Sequence, residues 1–385
     1  MRRVSPRQEL ALLCINSIQR DLKDSNPRTR ANALRTITSI RVPMVVHLVV
    51  MALRSAVKDG SPFVRKIAAH ALPKVVRTDA EQEGAAVEMV ASLLNDREPM
   101  VLASAVAAFD QVCPQRFDLL HAHFRKLCHL LADLDEWGQI QCVGVLARYG
   151  RTHFATPFSE AATQAASIPE KDRKFYSDSE ESDDEKRGAQ AAAKAAAKAN
   201  EMDPDHALLL RSVQVLFRSQ NSGVVLAAAS LFQALAPVKD CCAVMGKALV
   251  HACRAHPEMQ YCVLSAINAI AAKPGGYARM FAPYLKSFYV LAADPFYVRE
   301  LKLDIMASLA SEVNMTSILR EMQAYCRDAD KAFVGAAIQA IGRCALNVPE
   351  VAQACMRGLM VCAIVRGRGE IRMTRRVFLI VWLVI

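Results

Sequence analysis

Residues 202 to 237 read MDPDHALLLRSVQVLFRSQNSGVVLAAASLFQALAP, and this stretch decides the fold. Asp203 is placed to cap a helix, and Pro204 takes the first helical position, where a missing N–H costs nothing. Leu209, Val213 and Leu216 then recur at i, i+4 and i+7, the spacing of one helix face. The polar run from Arg218 to Gly223 supplies turn residues. A second helix follows, with Val225, Ala228, Ala229, Phe232 and Leu235 on one stripe, and Pro237 stops it. Two such helices bury their apolar stripes only against neighbouring pairs, so the unit predicts a stacked array.

The same unit recurs along the chain. Turn-like segments precede alanine-rich apolar helices in DSNPRTRANALRTITSI, DGSPFVRKIAAHALPKV and DREPMVLASAVAAFDQV, and again in AHPEMQYCVLSAINAIA, ADPFYVRELKLDIMASLA and DADKAFVGAAIQAIGRCA. Pro27, Pro62 and Pro99 are 35 and 37 residues apart, and Pro257 and Pro295 differ by 38. That period is one helix pair. With 53% hydrophobic but 6% aromatic residues, the composition suits helices on helices rather than sheets. The Asp-x-x-Pro turn before an alanine-rich helix resembles HEAT or armadillo units, while the fixed patterns of tetratricopeptide and ankyrin repeats are missing. The expected fold is all-α: a right-handed α-solenoid of HEAT/armadillo-like helix pairs, interrupted by one disordered acidic insert.

The interruption is FYSDSEESDDEKRGAQAAAKAAAKA at residues 175 to 199, where six of the ten residues from Tyr176 to Glu185 are carboxylates. Such charges repel one another, and the alanine-lysine tract has helix propensity but no apolar face to dock. The expected division is a first block of repeats at 1–156, an insert at 157–202 and a second block at 203–385 that ends within the array. Ser177 and Ser182 each have an acidic residue three positions later, the pattern used by acidophilic kinases, and Ser179 lies between them. All three are candidate phosphorylation sites.

The formal net charge is +10. Residues 1 to 80 hold 15 Lys or Arg against five Asp or Glu. Arg28, Arg30, Arg35, Arg65 and Lys66 form the candidate basic contact surface, suited to an anionic lipid surface or an acidic partner. Nucleic acid is not expected, because aromatic residues are not interleaved with the cations as stacking platforms require. No catalytic motif is found, neither phosphate loop nor nucleophile elbow nor HExxH, so no enzyme activity and no cofactor are expected. His121, His123, Cys128 and His129 cluster, but on one helix they point to different faces and make no metal site. Trp137 is expected to pack between repeats. The twelve cysteines show no disulfide framework, and Cys142, Cys262 and Cys344 are expected on buried helix faces. No signal peptide is evident, and the apolar run Val377 to Ile385 is nine residues long where a spanning helix needs about 20.

Several longer stretches carry a resemblance. EWGQ at 136–139 looks like the corresponding motif of the β-adaptins, the large subunits of vesicle-coat adaptors. MDPDHALLLRS, FAPYLKSFYVLAADP and LREMQAYCRDADKAFVGAAIQAIGRCALN, together with the acidic serine-rich insert, are similar to the β-adaptin branch of adaptor-related protein complex 3. The likeness runs from about residue 9 to about residue 360 and fades after Gly358. It implies a non-catalytic trunk in a heterotetrameric coat adaptor. Its partners would be a delta-type large adaptin, a medium (mu) chain, a small (sigma) chain and an Arf-family GTPase. It also implies a cytoplasmic protein held peripherally on Golgi or endosomal vesicle membranes, sorting cargo towards lysosome-like organelles. A clathrin contact belongs in the family to hinge and ear segments not found in these 385 residues. The alternative from another class is a karyopherin-type solenoid for nuclear transport, which would bind a Ran-type rather than an Arf-type GTPase.

Overall fold

The computed structural model describes residues 8–40, 45–154, 202–255, 257–273, 275–347, 353 and 355–357. The insert with Ser177, Ser179 and Ser182, and the run Val377 to Ile385, lie outside the described residues. Every regular element among the described residues is helical. They fall into two compact units: Met1–Leu216 with Ser230–Leu235, and Phe217–Ala229 with Ala236–Ile385.

In the first unit the helices come in pairs: α1 (Gln8–Asp21) with α2 (Pro27–Ile37), α3 (Val46–Ala56) with α4 (Pro62–Thr78), and α5 (Glu83–Leu94) with α6 (Pro99–Val112). The fourth pair has a broken first member, α7 (Asp118–His121), α8 (Phe124–Leu130) and a 3-10 turn at Leu131–Asp133, followed by the long α9 (Glu136–His153). The second helices pack on one another in series, α2 on α4, α4 on α6 and α6 on α9. Alanines make this possible: Ala31, Ala68, Ala71, Ala105 and Ala108 are buried, so backbones approach closely while Leu34, Leu72 and Phe109 fill the space between. At residue 204 the chain resumes with α10 (Pro204–Leu216), which packs against α8 and the turn that follows it.

The proline-marked turns behave as the sequence indicates. Pro27, Pro62, Pro99 and Pro204 each open a helix. In the first three, the aspartate three residues before the proline closes the turn. Asp24 accepts from the Asn26 N–H at 2.8 Å, Asp59 from Ser61 at 2.8 Å and Asp96 from Glu98 at 3.0 Å. Asp203 accepts from the Asp205 N–H at 2.9 Å, and Leu209, Val213 and Leu216 are buried as their spacing predicts.

The second unit contains α11 (Ser222–Leu235) up to Ala229, α12 (Val238–Ala255), α13 (Gln260–Ala271), α14 (Phe296–Ser308), α15 (Met315–Tyr325) and α16 (Lys331–Asn347). Again the second helices stack, α13 on α14 and α14 on α16. Where a first helix is expected before α14, the chain makes two 3-10 segments instead, Tyr277–Met280 and Ala282–Phe288. Gly275 and Gly276 have φ of +106° and +86°, a region that favours glycine, and Pro283 removes a further donor, so a continuous α-helix cannot start there.

Candidate partner-contact surface

The candidate basic residues divide into two sets. Arg30 and Arg65 sit three residues after the proline that opens their helix, and each reaches the turn aspartate of the next repeat. Arg30 holds both carboxylate oxygens of Asp59 at 2.8 Å and the carbonyls of Asp24 and Ser25 at 2.8 and 2.9 Å. Arg65 holds Asp96 at 2.5 and 3.2 Å and the carbonyls of Asp59 and Gly60 at 2.8 and 3.2 Å. The bond from Arg30 holds the Asp59 carboxyl below its usual range. At Asp96 burial pushes upward, but Arg65 and the Glu98 N–H outweigh it and the net shift is down. These side chains are rungs between repeats. Both arginines are partly buried, and their guanidinium groups are engaged within the array.

The third rung is of another kind: Lys126 reaches back to the carbonyls of Leu94, at 3.0 Å, and of Asp96. In the second unit Arg299 repeats the arginine design, bonding the carbonyls of Asp294 at 2.7 Å and Ala292 at 2.8 Å, with Asp328 3.8 Å away. The spacing Asp-x-x-Pro-x-x-Arg, present at Asp24 to Arg30 and at Asp59 to Arg65, is the sequence signal for these rungs. Arg28 and Arg35 are the exposed pair, two turns apart on one side of α2, and Lys66 is half-exposed on α4. This contrast yields an expected result. Arg65→Met should cost roughly 2–3 kcal/mol, because half-buried Asp96 and two carbonyls lose a charged donor. Arg28→Met should stay within about 0.5 kcal/mol. Urea unfolding of the two variants checks both.

The histidine cluster does not lie on one helix, because the chain breaks between α7 and α8. His121 joins an aromatic group: its Nδ1 is 2.7 Å from the Tyr149 hydroxyl, and its ring lies 4.8 Å from that of His153. No group of three or more His, Cys, Asp or Glu among the described residues is arranged to hold a metal ion. Cys142 and Cys344 are buried as expected, but Cys262 is exposed on α13. Burial pushes the Cys128, Cys241 and Cys344 thiols up to about 12, so they stay protonated and are poor nucleophiles at neutral pH. Trp137 departs most from expectation. It does not pack between repeats but is 77% exposed at the start of α9.

His206 is a polar residue the sequence did not single out. Phe154 stacks on it at 4.8 Å, its ring bonds the backbone at Leu235, and its Nε2 has no partner. Burial pushes its pKa down. The unfolded chain therefore takes up a proton more readily than the folded one, and stability should fall as pH drops below about 6.5. His206→Leu should flatten the dependence of melting temperature on pH between about 7 and 5, whatever its effect at neutral pH. Among the described residues, no helix is long and apolar enough to cross a membrane.

Comparison with known proteins bears on what these surfaces serve. The chain matches the family described as the adaptin N terminal region over residues 1–366. It is 45% identical over 365 residues to AP-3 complex subunit beta-2 of Mus musculus, covering 94% of this chain and 33% of that protein. It is 42% identical over 380 residues to AP-3 complex subunit beta-1 of Homo sapiens, covering 99% of this chain and 33% of that protein. Its fold is similar to a chain in a homology model of the full-length AP-3 complex in an intermediate open conformation. The TM-score is 0.57 and the identity 25%, over 91% of this chain and 55% of that one. The chain thus spans about a third of the length of the relatives it matches.

Proposed function

Because the chain belongs to the adaptin family, we propose that it forms part of the trunk of a non-catalytic large subunit in a heterotetrameric vesicle-coat adaptor of the AP-3 kind. The observation that carries this reading is identity of 45% and 42%, over 94% and 99% of the chain, to two AP-3 beta subunits. A scaffold also fits the architecture: within each unit, serial helices stack side by side and are tied by rungs between repeats. In this reading a delta-type large adaptin, a medium (mu) chain and a small (sigma) chain complete the assembly. An Arf-family GTPase recruits it to cytosolic faces of Golgi or endosomal membranes, and cargo is sorted towards lysosome-like organelles. Arg28, Arg35 and Lys66 supply contact with an anionic membrane or an acidic partner. Phosphate on Ser177, Ser179 or Ser182 would add about −1.5 to −2 charge per site and weaken contact with acidic surfaces while favouring basic ones. Clathrin engagement would belong to segments outside this sequence.

Co-expression with delta-type, mu and sigma chains, followed by size-exclusion chromatography, tests the reading. One co-eluting species is the expected result. A chain that elutes without them, and binds a Ran-type but not an Arf-type GTPase, would replace it with the karyopherin alternative.

A further inference from the structure

Three large apolar side chains are exposed at the same position of three successive second helices. Phe63, Met100 and Trp137 are each the second residue of α4, α6 and α9, and they are 38%, 37% and 77% exposed. These helices pack side by side. Neighbouring axes lie roughly 8–10 Å apart, so the side chains follow one another along one edge with a step of at least about 9 Å. A monomer gains nothing from showing water such a row.

The charge along the row is graded. On the side of α2 and α3 stand exposed Arg28, Arg54 and Lys58. Arg20 and Lys23 there are offset by Asp21 and Asp24, and Asp59 is neutralised by Arg30. Beside Met100, Arg97 and Glu98 cancel and Asp96 is paired with Arg65, which leaves Lys126, on the Asp96 carbonyl, as one positive charge between the two ends. At the far end Trp137 follows exposed Asp133 and Asp135. An anionic bilayer would be repelled where the most exposed ring would have to insert, so the row is not built for lipid.

We propose that Phe63, Met100 and Trp137 form a docking surface for an extended protein segment, apolar at every third residue, acidic at one end and basic at the other. The step selects the conformation. A polyproline-II segment rises about 3.1 Å per residue with three residues per turn, which puts i, i+3 and i+6 on one face about 9 Å apart. Same-face residues of a β-strand repeat about every 6.7 Å and fall out of step. The acidic end lies over Arg28, Arg54 and Lys58, and the basic end over Asp133 and Asp135. The surface rests on the first unit alone, so its failure would leave the scaffold reading standing.

The test uses the full chain and a labelled synthetic peptide of about 15 residues, with glutamates at one end, leucine at every third position among prolines and serines, and lysines at the other end. Fluorescence anisotropy should show binding that weakens at least about ten-fold when leucines are moved to alternate positions, and by a similar factor in the combined variant Phe63→Ser, Met100→Ser, Trp137→Ser. Should that variant melt early, Trp137→Ser alone, at a 77% exposed site, gives the same readout. Arg28→Glu, Arg54→Glu, Lys58→Glu should lose the peptide and gain one with lysines at both ends. No peptide binding, equal binding by either leucine spacing or by the serine variant, or serine-sensitive binding of phosphatidylserine vesicles without peptide binding, would each overturn the proposal.

Discussion

Lys302→Met is expected to lower the unfolding free energy by roughly 3–5 kcal/mol, the range for breaking a buried ion pair from one side. Lys302 lies within α14 and is 2% exposed, although its stem and charge make it the least probable residue for such a place. Its ammonium meets Asp294 at 2.5 Å and the Tyr289 carbonyl at 3.3 Å. Asp294 also accepts from the Leu291 N–H at 2.8 Å and so holds the turn that leads into α14. Methionine keeps the apolar stem but leaves the carboxylate without its counter-charge. Adding Asp294→Asn removes that charge while keeping an acceptor for Leu291, and the double variant should recover at least half of the loss. Urea unfolding of the single and double variants decides the matter. A single variant within about 1 kcal/mol of the parent would mean that the pair contributes no more than an exposed one.

The second large effect is expected at Gly138. A Cβ there would lie 2.5 Å from the Cβ of Ala103 and 2.5 Å from Asp135 Oδ1. The first contact forces α6 and α9 apart. The second disturbs the N-cap of α9, where Asp135 accepts from the Gly138 N–H at 3.2 Å. Overpacking costs about 1–3 kcal/mol and a lost cap about 1, while alanine returns under about 1 in helix propensity. Gly138→Ala should therefore destabilise by roughly 1–3 kcal/mol net. At Gly144 on the same helix a Cβ would meet nothing within 4 Å, so Gly144→Ala should be neutral or stabilising by up to about 1 kcal/mol. Equal melting temperatures for the two variants would show that α6 and α9 do not need the close approach.

These two sites mark the limit of what the residues disclose. Asp203 and Pro204, or Leu209 with Val213 and Leu216, are read directly, because a cap and a helix face involve neighbours within a few positions. Gly138 within EWGQ carries no mark of what it faces; that Ala103 lies opposite follows from how two helices dock. Lys302 sits in RELKLDIMASLA as one more charged residue, and its burial depends on a carboxylate supplied by the preceding turn. The histidine cluster reads as one helix because the run from Asp118 to Leu130 has no proline or glycine to announce its break. Trp137 reads as buried because large aromatic residues usually are, whereas its exposure is set by the edge on which α9 begins.

The helix pairs, their proline-opened starts, the alanine-rich second helices and the family were determined by the sequence itself, since each rests on order along the chain. The tertiary structure alone decided which side chains are exposed and which hold the repeats together. Arg28 and Arg30 differ by two positions, yet one is exposed and the other is bonded to Asp59, 29 residues away. The reason is physical: a helix direction changes by about 200° over two residues, and what it then meets belongs to a repeat that local interactions cannot specify.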